Sequence, residues 1–140
     1  MNAPQILIAL AAAIIGALGA MHLYLTFFST ALHPRDEILA ERMAEDHPQL
    51  TRGTTMWRAW IGFNASHSLG ALLFALAYGY LALMQPALLF GTSFLITLGL
   101  VMLLSLAALA RAYWFSKPQA GIAFATVLYL IGMLMSLMSS

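Results

Sequence analysis

Two histidines fall inside stretches of the chain that are otherwise almost free of charge: His22 in GAMHLYLTFF and His67 in MWRAWIGFNASHSLG. Each has polar company at helical spacing. Thr26 stands one turn beyond His22, and at about 100° per residue Trp57, Trp60, Asn64, His67, Ser68 and Ala71 share one side of a helix. Imidazole, carboxamide and hydroxyl groups supply donors and acceptors without permanent charge. Such a set suits two purposes, holding the polar head of a lipid-soluble molecule or bonding a neighbouring helix. Turned toward lipid, these groups would lose their hydrogen bonds, so this side of the helix must face protein, a ligand or water. The ligand-binding candidates are therefore His22, Thr26, Trp60, Asn64, His67 and Ser68. Arg58 and Arg111, at helix ends, are added as candidates for clamping an anionic group, against the usual role of such arginines in reaching out to lipid phosphate.

Other chemistry is disfavoured by the residues present. The chain has no Cys, which removes thiolate metal sites and disulfides. No Asp or Glu lies in an apolar stretch, so the titrating carboxylate of a small proton-coupled exporter is missing. Two histidines without carboxylate or thiolate are a poor zinc set, and no metal site is expected. A bis-histidine haem would need the rings at matched depth. Counted from Phe28 and Trp57 at ~1.5 Å per residue, His22 is about 9 Å deep and His67 about 15 Å. Ser66 and Ser68 beside His67 are not a hydrolase elbow, which belongs to a strand-to-helix turn. His33 and His47, outside the apolar stretches, are read as solvated. These residues name neither a catalytic group nor a cofactor.

The elements that must position them follow from composition. The chain has 140 residues, 62% apolar and 8% charged, far from the balance of a soluble domain. Uncharged or nearly uncharged runs at about 5–28, 56–84, 87–110 and 120–138 each approach or exceed the ~20 residues needed to cross a bilayer as a helix. They are continuous, without the alternation of barrel strands. The expected fold is all-α, a polytopic membrane protein: one four-transmembrane-helix bundle over 1–140, surrounded by membrane lipids. Little chain remains for a nucleotide-binding domain, and a net charge of +1 without a basic stripe argues against nucleic acid. Met1 to Gln5 lacks the cationic start of a secretory signal, so cleavage is not expected.

All the charges fall between spans one and two, at the entry to span two, or between spans three and four. Arg35, Arg42, Arg52, Arg58, Arg111 and Lys117 are thus all on one side, which makes loops 29–55 and 111–119 cytoplasmic and puts both termini outside the cytoplasm. Within the long loop, Pro34 to about Glu45 reads as a short amphipathic helix, with Pro and acids at its start. Ile38, Leu39 and Met43 lie to one side and Glu37, Glu41 and Glu45 to another. It either rests in the interface or covers a cavity mouth. Small residues four apart, Ala12, Gly16 and Ala20 in span one and Gly62, Ser66 and Gly70 in span two, are expected to mark close helix contacts.

The segments GAMHLYLTFF and MWRAWIGFNASHSLG resemble a family of small bacterial four-helix membrane proteins to which no activity is assigned, which implies a bacterial inner (plasma) membrane location. In topology and loop size the chain is also similar to the membrane-associated eicosanoid and glutathione metabolism superfamily. That resemblance implies trimers that bind glutathione at subunit interfaces through Arg, Asn and Glu near the start of helix two. Arg58 and Asn64 echo the first two, and His67 stands where the Glu would be. Two functions stay open. One is a binding or accessory protein for a lipid, a quinone or a partner membrane protein, as a homo-oligomer or part of a larger membrane complex. The other is a small enzyme of the glutathione-transferase type with its site at the cytoplasmic mouth.

Overall fold

The computed structural model describes residues 1–138. Six helices follow one another: α1 (Ala3–Phe28), α2 (Glu37–Glu45), α3 (Met56–Met84), α4 (Pro86–Gly91), α5 (Ser93–Tyr113) and α6 (Ser116–Met138). No strand occurs among the described residues. Helices α1, α3, α5 and α6 are long and apolar enough to span a membrane. The protein is therefore an all-α, polytopic membrane protein. Its outward surface agrees, since Leu10, Leu73, Leu76, Phe94, Leu104 and Phe124 are all exposed, a distribution that water would not tolerate and lipid requires.

The helix ends depart from the expected ones for local reasons. Pro86 cannot donate to Ala82 and disfavours helical backbone at Gln85, so α3 stops at Met84 and Gln85 takes φ −133°, ψ 50°. The Gln85 carbonyl then accepts from the amides of Leu88 and Leu89, both at 3.1 Å, and starts the short α4 with Pro86 in its first turn. A second break at Thr92, whose carbonyl accepts from Leu95 and Ile96, delays the third long helix to Ser93 instead of Ala87. Conversely, Lys117 and Pro118 do not separate helices. Trp114 caps α5 by donating to the Ala110 carbonyl at 3.1 Å, and Pro118 sits inside the first turn of α6, where its missing N–H leaves no bond unmade. The loop helix begins at Glu37 and not at Pro34, because Asp36 is the stronger start: its Oδ1 accepts from the Ile38 amide at 3.0 Å.

The chain divides into two compact units, Met1–Leu18 with Ala71 onward, and Gly19–Gly70. The first contains the apolar core. Ile8, Ile15, Leu89, Leu103 and Tyr129 are its largest fully buried side chains apart from those of the second unit. Small residues set the helix approaches here. A Cβ on Gly16 would lie 2.9 Å from the Cβ of Ala75, and one on Gly79 would lie 4.0 Å from that of Ala12, so the Ala12/Gly16 ridge of α1 meets an Ala75/Gly79 ridge of α3. Gly121 receives Leu18 and Gly132 receives Ile8, each within about 3 Å of the missing Cβ. Within the same unit Tyr78 donates to the Leu95 carbonyl at 2.8 Å and Tyr129 to that of Ile96 at 2.9 Å, both over Gly99.

The second unit holds the end of α1, the charged loop with α2, and the start of α3. Its loop is tied at its base: Met56 donates to the Asp46 carbonyl at 2.9 Å, and the Nδ1 of His47 bonds the Thr54 carbonyl at 2.7 Å. Thr55 Oγ1 accepts from the Arg58 amide at 3.3 Å and caps α3. The expected packing ridge of span two is not used. Gly62 and Ser66 are exposed, and no atom lies within 4 Å of a Cβ placed on Gly62 or Gly70. Positions 64 and 68 sit about 200° round the helix from 62 and 66. Burying a carboxamide and a hydroxyl outweighs close packing of glycine, so Asn64 and Ser68 take the inner side.

Candidate functional site

The polar cluster is built within Gly19–Gly70 by two antiparallel helix segments whose register is set at the loop. Trp60 Nε1 donates to the Leu32 carbonyl at 3.1 Å. This bond holds Trp60 level with the chain just past the end of α1, so α3 starts about one turn further out than α1 stops. His67 is then seven residues below Trp60, about 10.5 Å, and His22 is six below Phe28, about 9 Å. The two depths match. The sequence count, taken from Trp57, put His67 too deep. The His33 ring packs edge-on against Trp57 at 4.7 Å and reinforces the same end.

At that shared depth the rings of His22 and His67 meet edge to face, with centroids 5.6 Å apart and planes at 81°. Asn64 fixes one of them. Its Nδ2 donates to the Trp60 carbonyl at 2.8 Å, so its Oδ1 is the acceptor at 3.0 Å from His22 Nε2. His22 Nε2 therefore carries the proton, and in the neutral ring the lone pair is on Nδ1. The series Trp60 carbonyl, Asn64 amide, His22 imidazole and His67 imidazole is continuous across both helices. Asn64 is 6% exposed, whereas both imidazoles are half-buried. The carboxamide is thus enclosed in the protein, while both histidines keep part of their surface open.

Thr26 and Ser68 are buried beside this series, but their hydroxyls turn back on their own helices. Thr26 Oγ1 donates to the His22 carbonyl at 2.7 Å and Ser68 Oγ to the Asn64 carbonyl at 2.9 Å. They steady the backbone that carries His22 and Asn64. Trp60 is exposed apart from its indole bond. Arg58 is exposed in the first turn of α3, and Arg111 is exposed in the last turn of α5, where its charge complements the helix dipole. The two arginines belong to different units. Among the described residues, no buried side-chain nitrogen or oxygen lacks a hydrogen-bond partner. No three of the His, Cys, Asp and Glu side chains among them converge. A shallow cavity of about 480 Å³ in the loop, lined by Asp46, His47, Pro48, Gln49 and Arg52, is polar and separate from the cluster.

The buried pair Tyr78 and Tyr129, with rings 5.9 Å apart, escaped the reading of the sequence. Tyrosine in an apolar stretch passes for packing, and the signal available was a lone Gly99 among bulky residues, which leaves room for both rings. Their hydroxyls are both engaged with backbone carbonyls, so they brace α5. No family model matches the chain, and neither a curated protein nor a solved structure does.

Proposed function

We propose that this is a multi-pass inner-membrane binding or accessory protein whose working part is the series Asn64, His22 and His67. In this reading the cluster holds the polar head of a lipid or quinone, or docks the helix of a partner membrane protein. The observation that carries it is the meeting, edge to face, of two half-buried histidines beside a buried carboxamide, in helices otherwise suited to lipid. Polar groups at membrane depth are a default pointer to a site, and imidazole beside carboxamide suits the carbonyl or hydroxyl of a ligand's polar head. Entry is lateral, from the bilayer. The charge asymmetry supports cytoplasmic loops and external termini.

The test is mass spectrometry of small molecules bound to the full chain purified in mild detergent, for wild type and for His67→Phe. A lipid or quinone retained by wild type and lost by a folded variant is expected. Equal content in both proteins sinks the reading. The same preparation addresses the alternative, a glutathione-transferase-type enzyme, because only that function gives glutathione conjugation that depends on Arg58.

A further inference from the structure

The cavity in the loop between α2 and α3 is a second place for a ligand, and its lining sets acceptors beside donors. We propose that Asp46, His47, Gln49 and Arg52 hold the head group of an ethanolamine phospholipid, with the ammonium on the first two and the phosphate on the last two. This goes beyond the intramembrane reading, since none of these residues belongs to the series Asn64, His22 and His67. The cavity, of about 480 Å³, has the size of a small-molecule site. It is also prebuilt, because the loop is closed on itself. The Asp46 carbonyl accepts from the Met56 amide at 2.9 Å, His47 Nδ1 bonds the Thr54 carbonyl at 2.7 Å, and the Thr51 amide donates to the Pro48 carbonyl at 3.1 Å.

These bonds also decide what the lining offers. A carbonyl only accepts, so His47 Nδ1 carries the proton and Nε2 of the neutral ring is an acceptor. Asp46 Oδ1 takes the His47 amide at 2.8 Å, and its second oxygen has no partner among the described residues. Nor does any of those residues pair with the Arg52 guanidinium, a fork of donors shaped for phosphate. The Gln49 carboxamide adds N–H groups to the same lining. Asp46 and Arg52 cancel in charge, so the cavity suits a head group that carries both signs. A purely anionic head group meets the Asp46 carboxylate as a like charge, and a trimethylammonium has no N–H to give it.

Depth favours a lipid over a soluble phosphoester. Met56 is the first residue of the membrane-spanning α3, and its bond to Asp46 sets the cavity beside the start of that helix, at head-group level. Leu50, between the cavity residues Gln49 and Arg52, is 95% exposed, and α2 exposes Ile38 and Leu39 in the same loop. Apolar side chains bared at that level have the glycerol and acyl region of a bilayer to rest on. A soluble head group gains nothing from them.

The experiment is native mass spectrometry of the full chain in detergent, titrated with phosphatidylethanolamine, phosphatidylcholine and phosphatidylglycerol of the same acyl chains, with glycerophosphoethanolamine as soluble competitor. One phosphatidylethanolamine per chain is expected, bound at least about 10-fold more tightly than the other two lipids, the step that one charged hydrogen bond supplies. Arg52→Gln and Asp46→Asn should each weaken it about 10-fold and Arg35→Gln not at all. Asparagine keeps the acceptor for the His47 amide, so the loop stays closed. Should a variant fail to fold, wild type gives the second readout: retention falls with each methyl group added to the ethanolamine nitrogen. Equal retention of the three lipids, binding unchanged in both cavity variants, or displacement by glycerophosphoethanolamine as potent as the lipid itself overturns the proposal. His67→Phe should keep this lipid, and its loss there would assign the lipid to the intramembrane cluster and remove this site. Loss confined to the loop variants establishes this site, whether or not a second molecule depends on His67.

Discussion

Gly16 of α1 and Ala75 of α3 approach so closely that a Cβ on the glycine would stand 2.9 Å from the alanine's. In lipid, apolar burial does not drive helices together, so contact at this distance rests on dispersion between facing backbones, and the residue at position 16 must be small. Gly16→Leu is expected to destabilise the protein by about 1 to 3 kcal/mol, the range for overpacking. Gly62→Leu, at a position with open space, should leave stability within about 0.5 kcal/mol of wild type. Melting curves in detergent check both, and equal sensitivity at the two positions would contradict this contact assignment.

Gly99 presents a sharper case. A methyl group there would meet the hydroxyl and ring of Tyr129 and the ring of Tyr78. Gly99→Ala should therefore cost more than Tyr129→Phe, which removes one hydrogen bond of roughly 0.6 to 2 kcal/mol. Because the Tyr129 hydroxyl is the nearest atom, adding Tyr129→Phe to Gly99→Ala should recover part of the loss. Simple additivity in the double variant would show that the two positions do not compete for the same space.

Residue types and periodicity made much of this legible. Long apolar runs gave the four spans, and the need to hide a carboxamide gave the inner side of α3, where Asn64 and Ser68 are indeed buried. The ridge of Gly62, Ser66 and Gly70 misled because small size permits close packing without requiring it, while an unsatisfied polar group demands burial. The shared depth of His22 and His67 depended on the Trp60–Leu32 bond, a long-range contact with no sequence signature. The breaks at Gln85 and Thr92 differ in the same way: Pro86 announces the first, and nothing as strong announces the second.

The orientation of the protein can be checked directly. All six Lys and Arg residues lie in or beside the two loops that the spans leave on one side. A reporter active only in the cytoplasm should be silent at either terminus and active when inserted near Asp46, following the positive-inside bias. Activity at the C-terminus would reverse the topology and move the exposed loop to the opposite side.

Asn64 and His67 separate helix bonding from ligand binding because the structure gives them different jobs. Asn64 is buried and joins His22 to the Trp60 carbonyl, so Asn64→Leu breaks two bonds at once and leaves the His22 N–H without its acceptor. A loss of about 1 to 3 kcal/mol is expected, larger than for an average membrane hydrogen bond, since an abandoned buried donor adds its own desolvation cost. His67 is half-buried and meets His22 through its ring, a contact that a phenyl group of similar size partly preserves. His67→Phe should therefore melt within about 1 kcal/mol of wild type, as volume-conserving replacements do. It should nevertheless lose whatever small molecule the imidazole holds. A melting curve and a bound-ligand measurement on the same samples check the pair of outcomes. Should His67→Phe be the more damaging of the two with bound content unchanged, the imidazole would be a structural tie between α1 and α3, and the site would have to be sought elsewhere.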